Sequence, residues 1–160
     1  MTLRQELRMT RKFSSPEEEL SLNLQRTVGL LSRPLLRFLK ARDLSPAQYN
    51  ILRILRGQPE GELPCRQIGM RMVTREPDVT RLLDRLEMDG LVERVRSDTD
   101  RRVVRISITA TARTLLAELD EPMRRIHKES LGHLTRAEIT EMNRLLVKAR
   151  RPFLEGDGHE

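Results

Sequence analysis

Arg81 and Arg85 stand one helical turn apart, and the run Asp98-Thr99-Asp100-Arg101-Arg102 sets two carboxylates beside two guanidiniums. A guanidinium is a flat fork of donors that matches both a guanine edge and a phosphate. The rest of the 160-residue chain leans the same way. Of 30 Lys+Arg, all but Lys12, Lys40, Lys128 and Lys148 are arginine; they face 24 Asp+Glu, for a net charge of +6. That balance suits a double-stranded nucleic acid partner. Phe13, Phe38, Tyr49 and Phe153 are the only aromatics, too few for the stacking platforms of a single-strand binder.

Other chemistries find less support. His127 and His133 are six residues apart, on different helical faces, and neither they nor His159 sit in a carboxylate or thiol cluster, so no metal site is expected. Cys65 is the one cysteine, which excludes an intramolecular disulfide. It falls in the first turn after Pro64 beside Arg66, where a helix dipole favours thiolate, and is the one candidate redox switch. A small packed side chain is its alternative role. There is no glycine-rich phosphate loop, nucleophile elbow or His-Glu-x-x-His pattern, so neither an enzyme nor a cofactor is expected. No run of 18 apolar residues and no secretory leader is present, which makes the cytoplasm the expected address and a membrane partner unexpected.

The elements that must position the arginines follow from periodicity. Ser15-Pro16-Glu17-Glu18 opens a helix with a cap, a first-turn proline and a capping-box glutamate. Leu20, Leu24, Val28, Leu31, Leu35 and Phe38 then form one apolar stripe, broken by Pro34. Residues 1–13 before it are expected to fray or dock loosely. Ser45-Pro46-Ala47-Gln48 repeats the start signal, and Tyr49, Leu52 and Leu55 carry that helix to Gly57. Residues 57–64, with two glycines and two prolines, read as a loop. A short helix from Pro64 holds Ile68 and Met72 inward. Pro77 starts the next, with Val79, Leu82, Leu83 and Leu86 on one face and a stop at Gly90.

The period then changes from 3.6 to 2. Leu91–Val95 and Val104–Ile108 read as a hairpin whose tip is rich in arginine. Two helices close the chain. The first begins near Thr109 and carries Leu115, Leu116, Leu119, Met123 and Ile126; the second opens at Thr135-Arg136-Ala137-Glu138 and carries Ile139, Met142, Leu145, Leu146 and Phe153.

Short helix, turn, second helix and hairpin describe a winged helix-turn-helix, whose second helix is shaped for the major groove. A helical wheel leaves Pro77, Asp78, Arg81, Asp84, Arg85 and Met88 outward, with Thr80 on the flank. Residues 45–111 resemble the MarR family of bacterial transcription regulators. The resemblance is carried by Leu44-Ser45-Pro46-Ala47-Gln48-Tyr49, by Val79-Thr80-Arg81-Leu82-Leu83-Asp84-Arg85-Leu86-Glu87, by Gly90-Leu91-Val92-Glu93-Arg94, by the wing Asp98–Arg102, and by Ile106-Ser107-Ile108-Thr109. Ala112 stands where the family often has a glycine after the second wing strand.

The resemblance implies roles. Asp100 and Arg102 occupy the family's Asp-x-Arg at the wing tip, whose arginine enters the minor groove while the aspartate orients it; a narrow groove attracts such an arginine. Arg94, Arg96, Arg101 and Arg105 would then lie beside phosphates. The expected fold is mainly α with a small hairpin wing: residues 1–44 an arm and dimerisation helix, 45–110 the winged helix-turn-helix, 111–154 C-terminal dimerisation helices, and 155–160 a disordered tail. Leu20, Leu24, Val28, Leu31, Ile139, Met142, Leu146 and Phe153 are the expected dimer contacts. The expected function is a homodimeric regulator of transcription, most simply a repressor, gripping a pseudo-palindromic double-stranded operator. Phe38, Tyr49 and Met123 are candidate lining residues for a small-molecule effector. A cysteine-based sensor on the same scaffold and a protein-binding adaptor without DNA binding are the alternatives.

Overall fold

A computed structural model describes residues 2–96 and 104–156. The chain divides into two compact units, one ending at Met123 and one beginning at Arg124. In order the elements are α1 (Leu3–Glu6), α2 (Pro16–Lys40), α3 (Pro46–Arg56), β1 (Glu62–Pro64), α4 (Cys65–Arg71), α5 (Val79–Met88), β2 (Val92–Arg96), β3 (Val104–Ile108), α6 (Ala110–Leu131) and α7 (Arg136–Gly156).

The helix starts follow the capping chemistry of the sequence. Ser15 Oγ accepts from the Glu18 N–H at 3.2 Å. Ser45 and Gln48 close a reciprocal box: Ser45 Oγ accepts from Gln48 N–H at 3.1 Å, and Gln48 Oε1 accepts from Ser45 N–H at 2.9 Å. That box gives a partner to the side-chain oxygen of Gln48, the one buried polar residue among the described residues. Thr135 and Glu138 form the same device at the start of α7.

Five expectations need correcting. The segment before Ser15 contains α1, capped by Thr2 and anchored by the buried Leu3. Helix α2 runs unbroken through Pro34: the proline ring has a helical φ, and its cost is confined to one lost N–H and crowding of the preceding turn. The stretch read as a loop contains β1, which joins the hairpin in an antiparallel sheet of order β1-β3-β2. Met72 is the C-cap of α4, which ends at Arg71. At the C-terminal end α7 carries the backbone on to Gly156, into the expected tail.

The core of the first unit is built from Leu39, Ile51, Leu52, Leu55, Ile68, Leu83, Leu86, Ile106, Leu116 and Leu119, all essentially inaccessible. At about 1.5–3 kcal/mol for each buried aliphatic side chain, this cluster supplies the main force that holds α3, α4, α5 and the sheet together. The backs of α4 and α5 are therefore fixed, and their fronts are left to solvent.

Candidate nucleic-acid interface

Helix α5 buries Leu83 and Leu86 and turns Thr80, Arg81, Asp84, Arg85 and Met88 outward, with Pro77 exposed just before it. Its first turn starts at Val79, two residues later than Pro77, because Asp78 is the N-cap: its carboxylate accepts from the Arg81 N–H at 2.9 Å. Asp78 is thus spent on the helix end, although it remains exposed. Arg85 Nε pairs with Asp89 at 3.2 Å, whereas Arg81 enters no ion pair with any described residue. In front of α5, the turn from α4 is pinned to α3 by Asn50, whose side-chain oxygen accepts from the Val73 N–H at 2.8 Å.

The corner from α5 into β2 is rigidly closed. Leu91 N–H donates to Leu86 O at 2.9 Å and Gly90 N–H to Glu87 O at 3.0 Å, the paired bonds of a Schellman motif. Gly90 sits there at φ +67°, where a side chain would be strained. Thr109 locks the far side: its hydroxyl lies 2.9 Å from Gly90 O and also accepts from Ala112 N–H, capping α6. The recognition helix and the wing strands therefore leave one fixed junction.

Strand register decides which wing residues face the helices. Leu63 of β1 and Arg94 of β2 both oppose Ile106 on β3, and Val92 opposes Ile108. Opposed residues share a face of the sheet, and Leu63, Ile106, Val92 and Ile108 are buried. Arg94 thus lies on the helix-facing side. Its guanidinium reaches back to α5, with Nη2 at 2.5 Å from Asp84 Oδ1 and Nη1 on Glu87 Oε2. Its hydrogen bond to Asp84, and then the charge of Glu87, raise the Arg94 pKa above its ordinary value. Arg105 faces Glu60 at 3.8 Å and Glu62, its Nε beside the Glu62 carboxylate but off the line of a hydrogen bond. Two of the four arginines expected beside phosphates, Arg94 and Arg105, have carboxylates of their own chain as partners. Arg96 ends β2; Asp100, Arg101 and Arg102 lie outside the described residues.

A family model for the MarR family matches residues 44–104. The crystal structure of a MarR transcription factor from Planctomyces limnophilus is 40% identical, with a TM-score of 0.64 over 84% of this chain and 98% of that one. The chain belongs to the MarR family. This MarR-family transcriptional regulator is also 28% identical over 123 residues to the HTH-type transcriptional repressor IacR of Pseudomonas putida, covering 77% of this chain and 72% of the relative. At 24% identity its fold matches that of the organohalide-sensing regulator RdhR-CbdbA1625 in a form bound to 2,4-dichlorophenol, with a TM-score of 0.78 over 89% and 86% of the two chains. The winged helix-turn-helix read from the sequence is the fold of the family, and β1 turns the hairpin expected from the sequence into a three-stranded sheet.

The remaining sites of this MarR-family chain are placed as follows. Tyr49 and Met123 are buried and Phe38 is half-buried under the Arg42 guanidinium, 3.8 Å from the ring centroid. Burial pushes the Tyr49 phenol upward, against the opposing pull of Arg53. Leu20, Leu24 and Val28 are exposed on α2 and Leu31 is half-buried; on α7, Ile139, Met142 and Phe153 are exposed and Leu146 is half-buried. Cys65 is the half-buried first residue of α4. Among the described residues no group of His, Cys, Asp and Glu could hold a metal, and no helix is long and apolar enough to cross a membrane.

Sequence reasoning missed the Arg94 contacts with Asp84 and Glu87 and the bidentate bridge from Arg56 to Asp120 at 2.8 and 2.9 Å. The signal for the first was Arg94 itself, two residues after a strand's buried Val92 and so on the same face.

Proposed function

We propose that this regulator binds double-stranded DNA as a homodimer in the cytoplasm and represses transcription until a small organic effector releases it. The observation that carries the reading is the exposed outer face of α5, with Arg81 unpaired among the described residues, on a helix backed by Leu83 and Leu86 and fixed to the wing at one corner. Such a helix enters a major groove, where Arg81 can fork onto a guanine and Thr80 and Arg85 can reach base edges or phosphates. Family pattern assigns Arg102 to the adjacent minor groove, oriented by Asp100, with Arg96 and Arg101 along the phosphates.

Dimerisation is supported by the apolar residues that α2 and α7 leave uncovered, which a second copy of the chain would bury. The effector class is supported by the chlorinated phenol that one fold relative binds; Phe38, Tyr49 and Met123 are the residues assigned to it here. Fluorescence anisotropy with duplexes from the DNA flanking the protein's own gene tests the reading. A dimer neutralising about six to ten phosphates loses about 10³–10⁵ in affinity between 50 and 200 mM salt. A flat salt response would remove DNA as the partner and leave a protein-binding adaptor.

A further inference from the structure

From Asp78 to Asp89 the recognition segment carries four carboxylates, Asp78, Asp84, Glu87 and Asp89, against the two guanidiniums of Arg81 and Arg85. Its formal charge is negative, which opposes approach to a phosphate backbone. Each carboxylate, however, has a partner within the chain. Asp78 accepts from the Arg81 N–H, Asp89 holds Arg85, and Asp84 with Glu87 share Arg94.

We propose that Arg94 is a positioning residue for DNA binding: from the helix-facing side of β2 it masks Asp84 and Glu87 and sets the wing against α5, and it contacts no phosphate. Deepening the DNA-binding reading above, the inference rests on it.

Three features support the assignment. The register opposite buried Ile106 aims Arg94 toward the helices. Its two terminal nitrogens take separate carboxylates one turn apart on α5, a two-point tie that only a guanidinium fork can make. The Schellman corner and the Thr109 lock already fix the backbone between α5 and β2, so the tie costs little further chain entropy. With Arg94 removed, Asp84, whose side chain is 55% exposed, would present an uncompensated charge on the face that carries Arg81 and Arg85. Like charges across an interface suppress binding. The tie also couples the angle of the wing to the helix, so the two DNA-reading elements move together.

The test compares the full-length protein with its variants by anisotropy across salt, with circular dichroism to verify folding. Arg94→Ala should lose about tenfold or more in DNA affinity. Arg94→Ala combined with Asp84→Asn and Glu87→Gln should regain most of it, because the masked charges are gone. A variant of the same net charge, Arg94→Ala with Glu93→Gln and Glu118→Gln, should not recover. Arg94→Lys, a single-point donor, should fall between Arg94→Ala and the wild type. A phosphate ligand behaves differently: its loss from both subunits lowers the salt slope by about 1.8, and neutralising Asp84 and Glu87 does not restore that slope. A lowered slope that persists in the triple variant, or equal rescue by neutralising Glu93 and Glu118, overturns the proposal. Absence of salt-dependent binding in the wild type would instead overturn the DNA-binding reading, and the role of Arg94 with it.

Discussion

Arg56, at the last turn of α3, grips Asp120 in the middle of α6 through both guanidinium nitrogens, at 2.9 and 2.8 Å. The bond ties the helix that carries buried Tyr49 to the long helix leaving the wing, across a sequence separation of 64 residues. The hydrogen bond that Arg56 donates to Asp120 is the largest cause of its raised pKa. Its side chains are 29% and 38% exposed, so solvent screens much of the Coulomb energy. The bidentate geometry places it at the upper end for such pairs, about 1 kcal/mol.

The first prediction follows from that geometry. Arg56→Ala should lower stability by about 1 kcal/mol in urea titration, and Arg56→Lys should retain only part of the wild-type value. A double-mutant cycle with Asp120→Ala isolates the pair. A coupling indistinguishable from zero would reduce the contact to a surface ornament.

Leu86 is fully buried behind the recognition face and is also the acceptor of the Schellman bond from Leu91. Leu86→Ala should cost about 2–5 kcal/mol, because the rigid corner limits collapse of the cavity. Met88, exposed one turn on from Asp84 and away from that core, should tolerate alanine within about 0.5 kcal/mol. Similar losses at both positions would mean that the helix is seated differently.

The contrast between Leu86 and Met88 was legible in the sequence, because a 3.6-residue period separates them without any long-range information. So were the caps at Ser15, Ser45 and Thr135. Strand β1 was not: three residues, Glu62–Pro64, are too short for a period, and Leu63 counts as inward only once it lies opposite Ile106. Val95 shows the opposite case. Its type suggests the core, yet register leaves it 39% exposed and turns Arg94 inward. The charge pattern showed many arginines but not which had internal partners, since Asp84, Glu87 and Arg94 meet only through the fold. Leu39 was hidden likewise: it lies beside the stripe ending at Phe38, and tertiary packing selects it for the core.

A pH prediction concerns the start of α7. The backbone N–H of Thr135, and then its hydroxyl, hold the Glu138 carboxylate below its ordinary value of 4.5. A carboxylate lowered in the folded state adds stability that is complete above the unfolded value and disappears as pH falls through the folded one. Melting temperature should therefore drop as pH is taken from 6 to about 3, and Glu138→Gln should make that drop shallower. An unchanged profile in the variant would show that the capping box carries no charge-dependent stability.

The two DNA-reading elements should fail differently. Arg81→Ala should cost about 1–3 kcal/mol and relax preference at one base position, as loss of a guanine fork does. Arg102→Ala should weaken binding most where the operator flank is A·T-rich, because groove width attracts that arginine. Systematic duplex libraries read both effects. Binding of Arg102→Ala to every flank as strongly as wild type would remove the minor-groove role.

The last prediction is that operator binding depends on the terminal helices. Within its own unit α2 leaves Leu20, Leu24 and Val28 exposed, and α7 leaves Ile139, Met142, Leu145 and Phe153 exposed. These side chains recur at helical spacing, so each helix presents a continuous apolar stripe and not scattered surface leucines. A symmetric copy of the chain would cover both stripes with identical ones. Burying about 1,000 Å² or more in this way makes a stable dimer. Two linked recognition helices then act at a high effective concentration, worth about 10²–10⁴ in affinity for a full operator over a half-site. A chain ending at Ser130 lacks α7 and should sediment as a monomer or aggregate, binding a full operator no better than one half-site. Charged substitutions that leave α7 helical, Met142→Glu with Leu145→Lys, should separate the subunits without loss of secondary structure by circular dichroism. Should both variants stay dimeric and keep full operator affinity, the two half-sites are joined through some other surface.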